Sequence, residues 1–340
     1  MMDERYSRQI LFREIGREGQ EKLLASRVLL VGCGALGAAQ AEMLARAGVG
    51  KLRIVDRDFV ERTNLQRQTL FSESDAAERL PKSVAAKNRI AAINSGIEVE
   101  PIVADVNNSN VASLLDGVDL VVDGTDNFQV RYLLNDACVK HDKTWIYGAA
   151  VSSYGTTMTI FPGETPCLRC IFEEMPDAGS APTCDTAGVI MPIIATVAAV
   201  QVAEALKIIV GDLDSLHRSL LQFDLWQNDW RKIKLAEPNP DCKACGQRNF
   251  EFLDAENIER SAVLCGRNAV QITPSAAAAF DLAALAGKIA AGTDVKQNEF
   301  LVRFHSGEYE VTVFRDGRAI IKGTDDVAAA RSIYARFVGT

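Results

Sequence analysis

Histidine is nearly missing from this chain, with three in 340 residues, at positions 141, 217 and 305. None follows a strand of the main repeating pattern, where a dehydrogenase keeps the group that protonates its substrate carbonyl. A surplus of positive charge is also missing. Lys and Arg number 37 against 45 Asp and Glu, a formal net charge of -8, and no basic stripe offers a footprint for nucleic acid. The amino terminus, Met1-Met2-Asp3-Glu4-Arg5, has no apolar core of a secretion signal. The longest apolar run, 189–210, carries Pro192, Gln201, Glu204 and Lys207, which suits a buried helix better than a membrane span. A cytoplasmic location is expected, without membrane or nucleic-acid partners. The eight cysteines are then thiols or ligands and not a disulfide frame.

What is present is ordinary globular composition, 48% apolar and 24% charged, at a length that allows two domains. A helix over 15–25 leads into the strand Val28-Leu29-Leu30-Val31, and a small-residue helix follows and ends near Gly48. Strands at 51–55, 99–103, 120–123 and 144–148 alternate with helices at 82–94, 111–115 and 128–140. That rhythm predicts a Rossmann-like, doubly wound α/β domain whose later strands turn antiparallel. The composition shifts near Pro238-Asn239-Pro240. The expected division is a nucleotide-binding domain over 1–248, a linker over 249–261 and a small α+β domain over 262–340. In the last, an Ala-rich helix at 275–291, strands at 300–304, 308–314 and 318–322 and a helix at 325–337 surround a hairpin signal at Asp316-Gly317.

Gly32, Gly34 and Gly37 form G-x-G-x-x-G between a strand and a helix. The first supports the turn, the second lets backbone approach phosphate, and the third permits close helix–sheet packing. Asp56, ending the next strand, is placed to accept ribose hydroxyls. The loop suits a dinucleotide or ATP equally. Asn64, Arg67, Lys82 and Asp126 lie where loops converge over phosphates. Arg and Lys can neutralise a departing pyrophosphate, and Asp126 can hold magnesium. A surface salt bridge is the plainer reading for each residue alone, but weaker for the set.

Cys167-x-x-Cys170 and Cys242-x-x-Cys245 are two short chelates, the spacing of a closed, structural four-cysteine zinc site. Cys184 stands apart in a loop just before a helix, where the helix dipole favours a reactive thiolate. A merely buried side chain is its alternative. Cys33, Cys138 and Cys265 read as packing residues.

Together, Arg5-Tyr6-Ser7-Arg8-Gln9, Gly32-Cys33-Gly34-Ala35-Leu36-Gly37, Asn64-Leu65-Gln66-Arg67-Gln68, Pro81-Lys82, Asp123-Gly124-Thr125-Asp126-Asn127 and both cysteine pairs closely resemble a known family. These are the ubiquitin-activating-like adenylyltransferases that charge small sulfur-carrier proteins in thiamin thiazole and molybdopterin biosynthesis, and the resemblance spans residues 3–248. It implies ATP-dependent adenylylation of the C-terminal glycine carboxylate of a ubiquitin-like carrier ending in Gly-Gly. It further implies Asp56 on ribose, Asn64, Arg67 and Lys82 on the triphosphate, and magnesium on Asp126. Arg8 would reach into the partner subunit of a two-fold homodimer, and Asp58 would contact the nucleotide or the substrate tail. Cys184 falls where some members take the carrier onto sulfur, with a sulfur donor protein as a further partner. The final 80 residues resemble an extension of longer bacterial members. An NAD-dependent oxidoreductase and a non-catalytic nucleotide-binding scaffold are the alternatives, and the resemblance leaves the choice between thiamin and molybdopterin carriers open.

Overall fold

The computed structural model describes residues 4–177, 183–254, 260–264, 268–274, 280–290 and 294–338. The chain divides into two compact units, Met1–Ala255 and Glu256–Thr340. In the first, strands β1 (Arg27–Val31), β2 (Lys51–Asp56), β3 (Glu98–Val103), β4 (Leu120–Asp123), β5 (Trp145–Val151), β6 (Tyr154–Ile160), β7 (Ser219–Asp224) and β8 (Asp229–Lys234) form one sheet. Their order is β3-β2-β1-β4-β5-β6-β7-β8. The run from β3 to β5 is parallel, and β6, β7 and β8 join antiparallel. The change of sense follows from the connections. Helical crossovers separate the parallel strands, whereas β5 and β6 are joined by two residues, with Ser152 in the left-handed region at φ 56°.

Successive side chains of a strand point to opposite faces, and the two cores of this unit divide the strands accordingly. Val28 and Leu30 of β1 and Leu120 and Val122 of β4 pack with helices Ala35–Ala47, Lys82–Ile93 and Met191–Val210. Leu29, Val31 and Val121 pack on the opposite face with helices Val111–Leu115 and Phe128–Lys140. From β1 the chain moves outward to β2 and β3 on one side, then crosses back to β4 on the other side of β1. Ligands of open α/β sheets bind at such a reversal, beyond the carboxyl ends of the strands.

Helix Met191–Val210 is long and apolar enough to cross a membrane by length and composition. Here Ile193, Ile194, Val197, Ala198, Gln201, Val202, Glu204 and Ala205 are buried inside the protein. Gln201 donates to the carbonyls of Asp123 and Ile146, and Gln40 donates to the same Asp123 carbonyl. These glutamines tie two helices to the ends of β4 and β5. A Cβ on Gly148 would stand 2.4 Å from the Gln201 side chain, so glycine there makes room for the tie.

In this unit the sequence shows no sign of two strands, β7 and β8, and in the second unit none of β9 (Arg260–Leu264), β10 (Ala269–Thr273) or β11 (Val295–Gln297). All of β8 beyond its first residue is exposed, so no apolar alternation marks it. Residues 249–254, read as the start of a linker, pack on the first unit. Phe250 is buried in its core, Phe252 stacks beside Tyr132, and the Phe252 N–H donates to Asp136 Oδ2 at 3.0 Å.

The second unit is a six-stranded antiparallel sheet of β9 (Arg260–Leu264), β10 (Ala269–Thr273), β11 (Val295–Gln297), β12 (Leu301–Ser306), β13 (Tyr309–Phe314) and β14 (Ala319–Lys322), in the order β11-β12-β13-β14-β10-β9. Helices Leu282–Ile289 and Val327–Phe337 share one core with it. The expected hairpin joins β13 to β14, with Gly317 at φ 82°. The Ala-rich helix expected over 275–291 covers Leu282–Ile289 among the described residues, and Cys265 lies outside them.

Candidate active site

The carboxyl ends of β1 and β4 touch. The Gly124 N–H donates to Val31 O at 2.8 Å, and the Gly32 N–H donates to Val55 O at 2.8 Å. A Cβ on Gly32, whose φ is 85°, would meet the Gly124 carbonyl at 2.9 Å, and one on Gly37 would meet Gly32 O at 2.0 Å. Packing therefore demands two of the three glycines. Gly34 is different, because the nearest atom to its Cβ position is Gln68 Nε2 at 3.9 Å. The absence of a side chain there keeps space open in front of helix Ala35–Ala47, which starts without a side-chain cap. The free N–H groups of its first turn make an anion site.

Asp56 closes one side of this space. It accepts from the Cys33 N–H through Oδ2 and from the Asp58 N–H through Oδ1, both at 2.6 Å. Burial raises its pKa, and Asp58 adds to this while Lys82 opposes it. Lys82 heads helix Lys82–Ile93 after Pro81. Its side chain is almost fully buried, with Nζ 3.1 Å from Asp58 Oδ2. The chain holds this pair from both sides, since the Lys82 N–H donates to Asp58 O at 2.9 Å and Val60 pairs with Leu80. One lysine thus serves two carboxylates within a few residues of the glycine loop.

The 64–68 segment approaches the loop through Gln68, which is buried and whose Oε1 has no partner among the described residues. Asn64 is buried and accepts the Glu61 N–H at 3.1 Å, and Arg67 is folded onto its own turn, donating to Thr63 O at 3.1 Å. Asp126 is exposed beyond β4. Arg57 and Arg131 lie close enough that, although burial works against their charge, the carboxylates around them, Asp126 included, raise both pKa values. Arg57 pairs with Asp105 at 3.2 Å and lies 3.8 Å from Asp58. Arg131 pairs with buried Asp123 at 3.0 Å and donates to the carbonyls of Thr125 and Gly148. Neither arginine was picked out from sequence, although Asp123 begins one of the quoted motifs. Arg131 sits in a helix whose pattern gives no sign that its charge is buried.

The amino-terminal motif anchors through Tyr6 and Gln9, three residues apart in its helical turns. Tyr6 is buried and its hydroxyl accepts from Asn94 Nδ2 at 2.8 Å, while Gln9 donates to Gln20 and to the Ala47 carbonyl. Arg8 faces outward, and Leu11 and Phe12 beside it are 72% and 57% exposed.

Cys184 opens a single helical turn, Cys184–Ala187, capped by Thr183. Its Sγ lies 3.5 Å from Ala150 O at the end of β5. The other cysteines divide as expected among the described residues. Cys33 and Cys138 are buried, and burial pushes both thiols far above their ordinary pKa. The four sulfurs of Cys167, Cys170, Cys242 and Cys245 lie within 4.8 Å of one another, with separations of 3.9, 3.6 and 3.3 Å along the 167–170, 167–242 and 170–245 edges. Asn135 Nδ2 approaches Cys167 Sγ at 3.7 Å, and Asn135 Oδ1 accepts the Leu168 N–H. Four free thiols in this arrangement can hold one tetrahedral metal ion.

A doubly wound sheet with an open phosphate loop, an acid at the second strand and a four-cysteine clamp defines a nucleotide-binding protein of Rossmann-like type. Comparison with known proteins narrows this. Residues 6–244 match the ThiF family, and the chain belongs to it. It is 46% identical over 340 residues to the sulfur carrier protein ThiS adenylyltransferase of Bacillus subtilis, covering 99% of this chain and 100% of that protein. It is 40% identical over 261 residues to the SAMP-activating enzyme E1 of Haloferax volcanii, covering 76% of this chain and 95% of that one. The crystal structure of E. coli MccB with ATP superposes with a TM-score of 0.62 at 25% identity, covering 71% of this chain and 74% of that chain.

Proposed function

We propose that this protein adenylylates the C-terminal glycine of a small ubiquitin-like sulfur-carrier protein, with ATP as the nucleotide and release of pyrophosphate. The observation that carries the reading is Gly34, where open space faces uncapped helix amides beside Asp56, Lys82 and Gln68. A carboxylate is already ionised, so no general base is needed. Aligned on the α-phosphate, it attacks and expels pyrophosphate, and the rate comes from positioning and from charge neutralisation.

The residues take the following roles. Asp56 receives the ribose hydroxyls, and the helix amides beyond Gly34 hold phosphate oxygens. Lys82 exchanges part of its Asp58 pairing for the triphosphate, while Arg67 and Asn64 turn from their own loop toward the leaving oxygens. Asp58 orders Lys82. Asp126, exposed beside two arginines, would hold magnesium. The four-cysteine site would hold zinc, since a tetrahedron with Zn–S bonds of ~2.3 Å has edges of ~3.8 Å, near the observed sulfur separations. Zinc there is structural and pins 242–245 to the sheet domain. Arg8, beside the exposed Leu11 and Phe12, would enter the site of a second copy in a homodimer, and Cys184 would take part in later sulfur transfer from a donor protein.

The identity with the B. subtilis protein runs through the C-terminal unit as well, which favours the thiazole carrier over the molybdopterin carrier. A cytoplasmic setting fits the burial of helix Met191–Val210. ATP–pyrophosphate exchange tests the reading. Exchange that depends on a ThiS-type carrier is expected, and exchange that a carrier of molybdopterin biosynthesis supports equally would remove the pathway assignment. Nucleotide binding without exchange under any carrier would remove the reaction.

A further inference from the structure

A cavity of about 120 Å³ lies between helix Phe128–Lys140, β5 and the segment after Cys170. Phe128, Tyr147, Leu168 and Phe172 line it with apolar surface, Arg131 reaches it, and Glu174 stands in its wall. It is a built feature. The Tyr132 hydroxyl lies 2.9 Å from Phe172 O and 2.7 Å from Glu174 O and fastens the covering segment down. The Arg131 guanidinium sits 5.6 Å from the Phe128 ring centre and 5.4 Å from that of Tyr147. Its Nε and Nη2 are committed to Asp123, Thr125 and Gly148. Nη1 takes no part in these bonds, in a side chain that is 5% exposed.

The position gives the cavity a meaning. Phe128 follows Asp126 by two residues, and the same Arg131 that lines the cavity holds the Thr125 carbonyl of the site loop. Asp56 places the ribose half of a nucleotide toward β2, on one side of the glycine loop. A second substrate that reaches the α-phosphate must come from the other side, over β4 and β5, where the cavity lies. An extended protein tail has backbone carbonyls for the spare guanidinium N–H and a side chain for the hollow. A dry cavity of ~150 Å³ accepts a benzene ring, so this one suits a branched aliphatic side chain. Glu174 in the wall disfavours an acidic one.

We infer that this cavity is a specificity pocket which takes one aliphatic side chain of the carrier's tail, upstream of the terminal glycines, with Arg131 Nη1 donating to a tail carbonyl. The inference rests on the adenylylation reading. Its test uses the full-length protein and B. subtilis ThiS as the probe carrier. Each of the six residues preceding the terminal glycines is changed singly to Asp, and ATP–pyrophosphate exchange is measured against carrier concentration. One position is expected to stand out, with KM raised by about thirtyfold and kcat within about threefold. Phe172→Ala, at a partly exposed wall position, enlarges the pocket. It is expected to improve a carrier bearing Trp at that position by about tenfold relative to native ThiS. A flat profile across the six positions, or a Phe172→Ala enzyme that changes all carriers equally, overturns the pocket while leaving the reaction intact. No exchange with native ThiS removes the reaction, and the pocket with it.

Discussion

Two neighbouring glycines in one loop should fail in opposite ways when each gains a methyl group. At Gly37 the new Cβ would stand 2.0 Å from Gly32 O, a backbone atom that cannot swing away. The helix must move by more than ~1 Å, and overpacking of this kind costs about 1–3 kcal/mol or more. At Gly34 the Cβ would meet nothing nearer than 3.9 Å. Its φ of -78° is one that alanine adopts. Gly34→Ala should therefore melt within a few degrees of the native protein, while Gly37→Ala melts well below it. Binding should invert the order for Gly34. Its methyl occupies the space in front of the helix amides, and losing two phosphate contacts worth ~1.4 kcal/mol each raises Kd for ATP about a hundredfold. Thermal melts and calorimetric ATP titrations of the two variants decide the matter. Native ATP affinity in a folded Gly34→Ala protein would refute the placement of phosphate at this loop.

Lys82→Met leaves Asp56 and Asp58 without their shared cation. A stability loss of about 3–5 kcal/mol and exchange reduced beyond the loss of folded protein are expected, measured by denaturant titration beside the kinetics. Cys170→Ser should lose bound zinc, read by elemental analysis, and should unfold more easily before its chemistry per folded molecule changes. Burial, the largest cause, lifts the Asp136 pKa to about 6 despite its Phe252 N–H and the nearby Arg169. A raised carboxyl is stabilising only while protonated, so its contribution fades as pH rises from about 4, the unfolded value, through about 6. Asp136→Asn should abolish that loss and gain up to about 3 kcal/mol above pH 6, and an unchanged pH–stability difference between the two proteins would contradict it. Leu11→Asp with Phe12→Asp should convert a dimer to a monomer in light scattering and lower exchange, whereas native mass and activity would place the interface elsewhere.

Much of this architecture was written locally. The glycine loop, Asp56 at a strand end, the Pro81 start of a helix and the paired cysteines are short-range patterns with direct steric or coordination causes, and each element formed where its pattern lay. What stayed hidden depends on long-range contacts. Arg131 belongs to a helix with an unremarkable sequence, and its burial is set by Asp123 of a separate strand and by Gly148 of another. Gln40 and Gln201 look like solvent-facing residues until their shared carbonyl is seen. Strand β8 escaped notice because an exposed edge has no apolar period to read. Phe250 and Phe252 were passed over as linker, since two aromatic residues in a polar stretch show no partner until helix Phe128–Lys140 lies beneath them. Asn64 and Arg67 were legible by motif, but their present bonds to Glu61 and Thr63 were not.

The mass of the carrier after reaction tests the central claim most directly. Purified protein, ATP and magnesium are incubated with intact ThiS-type carrier and with the same carrier lacking its last glycine, and both are weighed by mass spectrometry. One AMP on the intact carrier, located at its terminal carboxyl, and none on the shortened one is the expected result. An unmodified intact carrier in the presence of bound ATP, or AMP found on a side chain, would contradict the account.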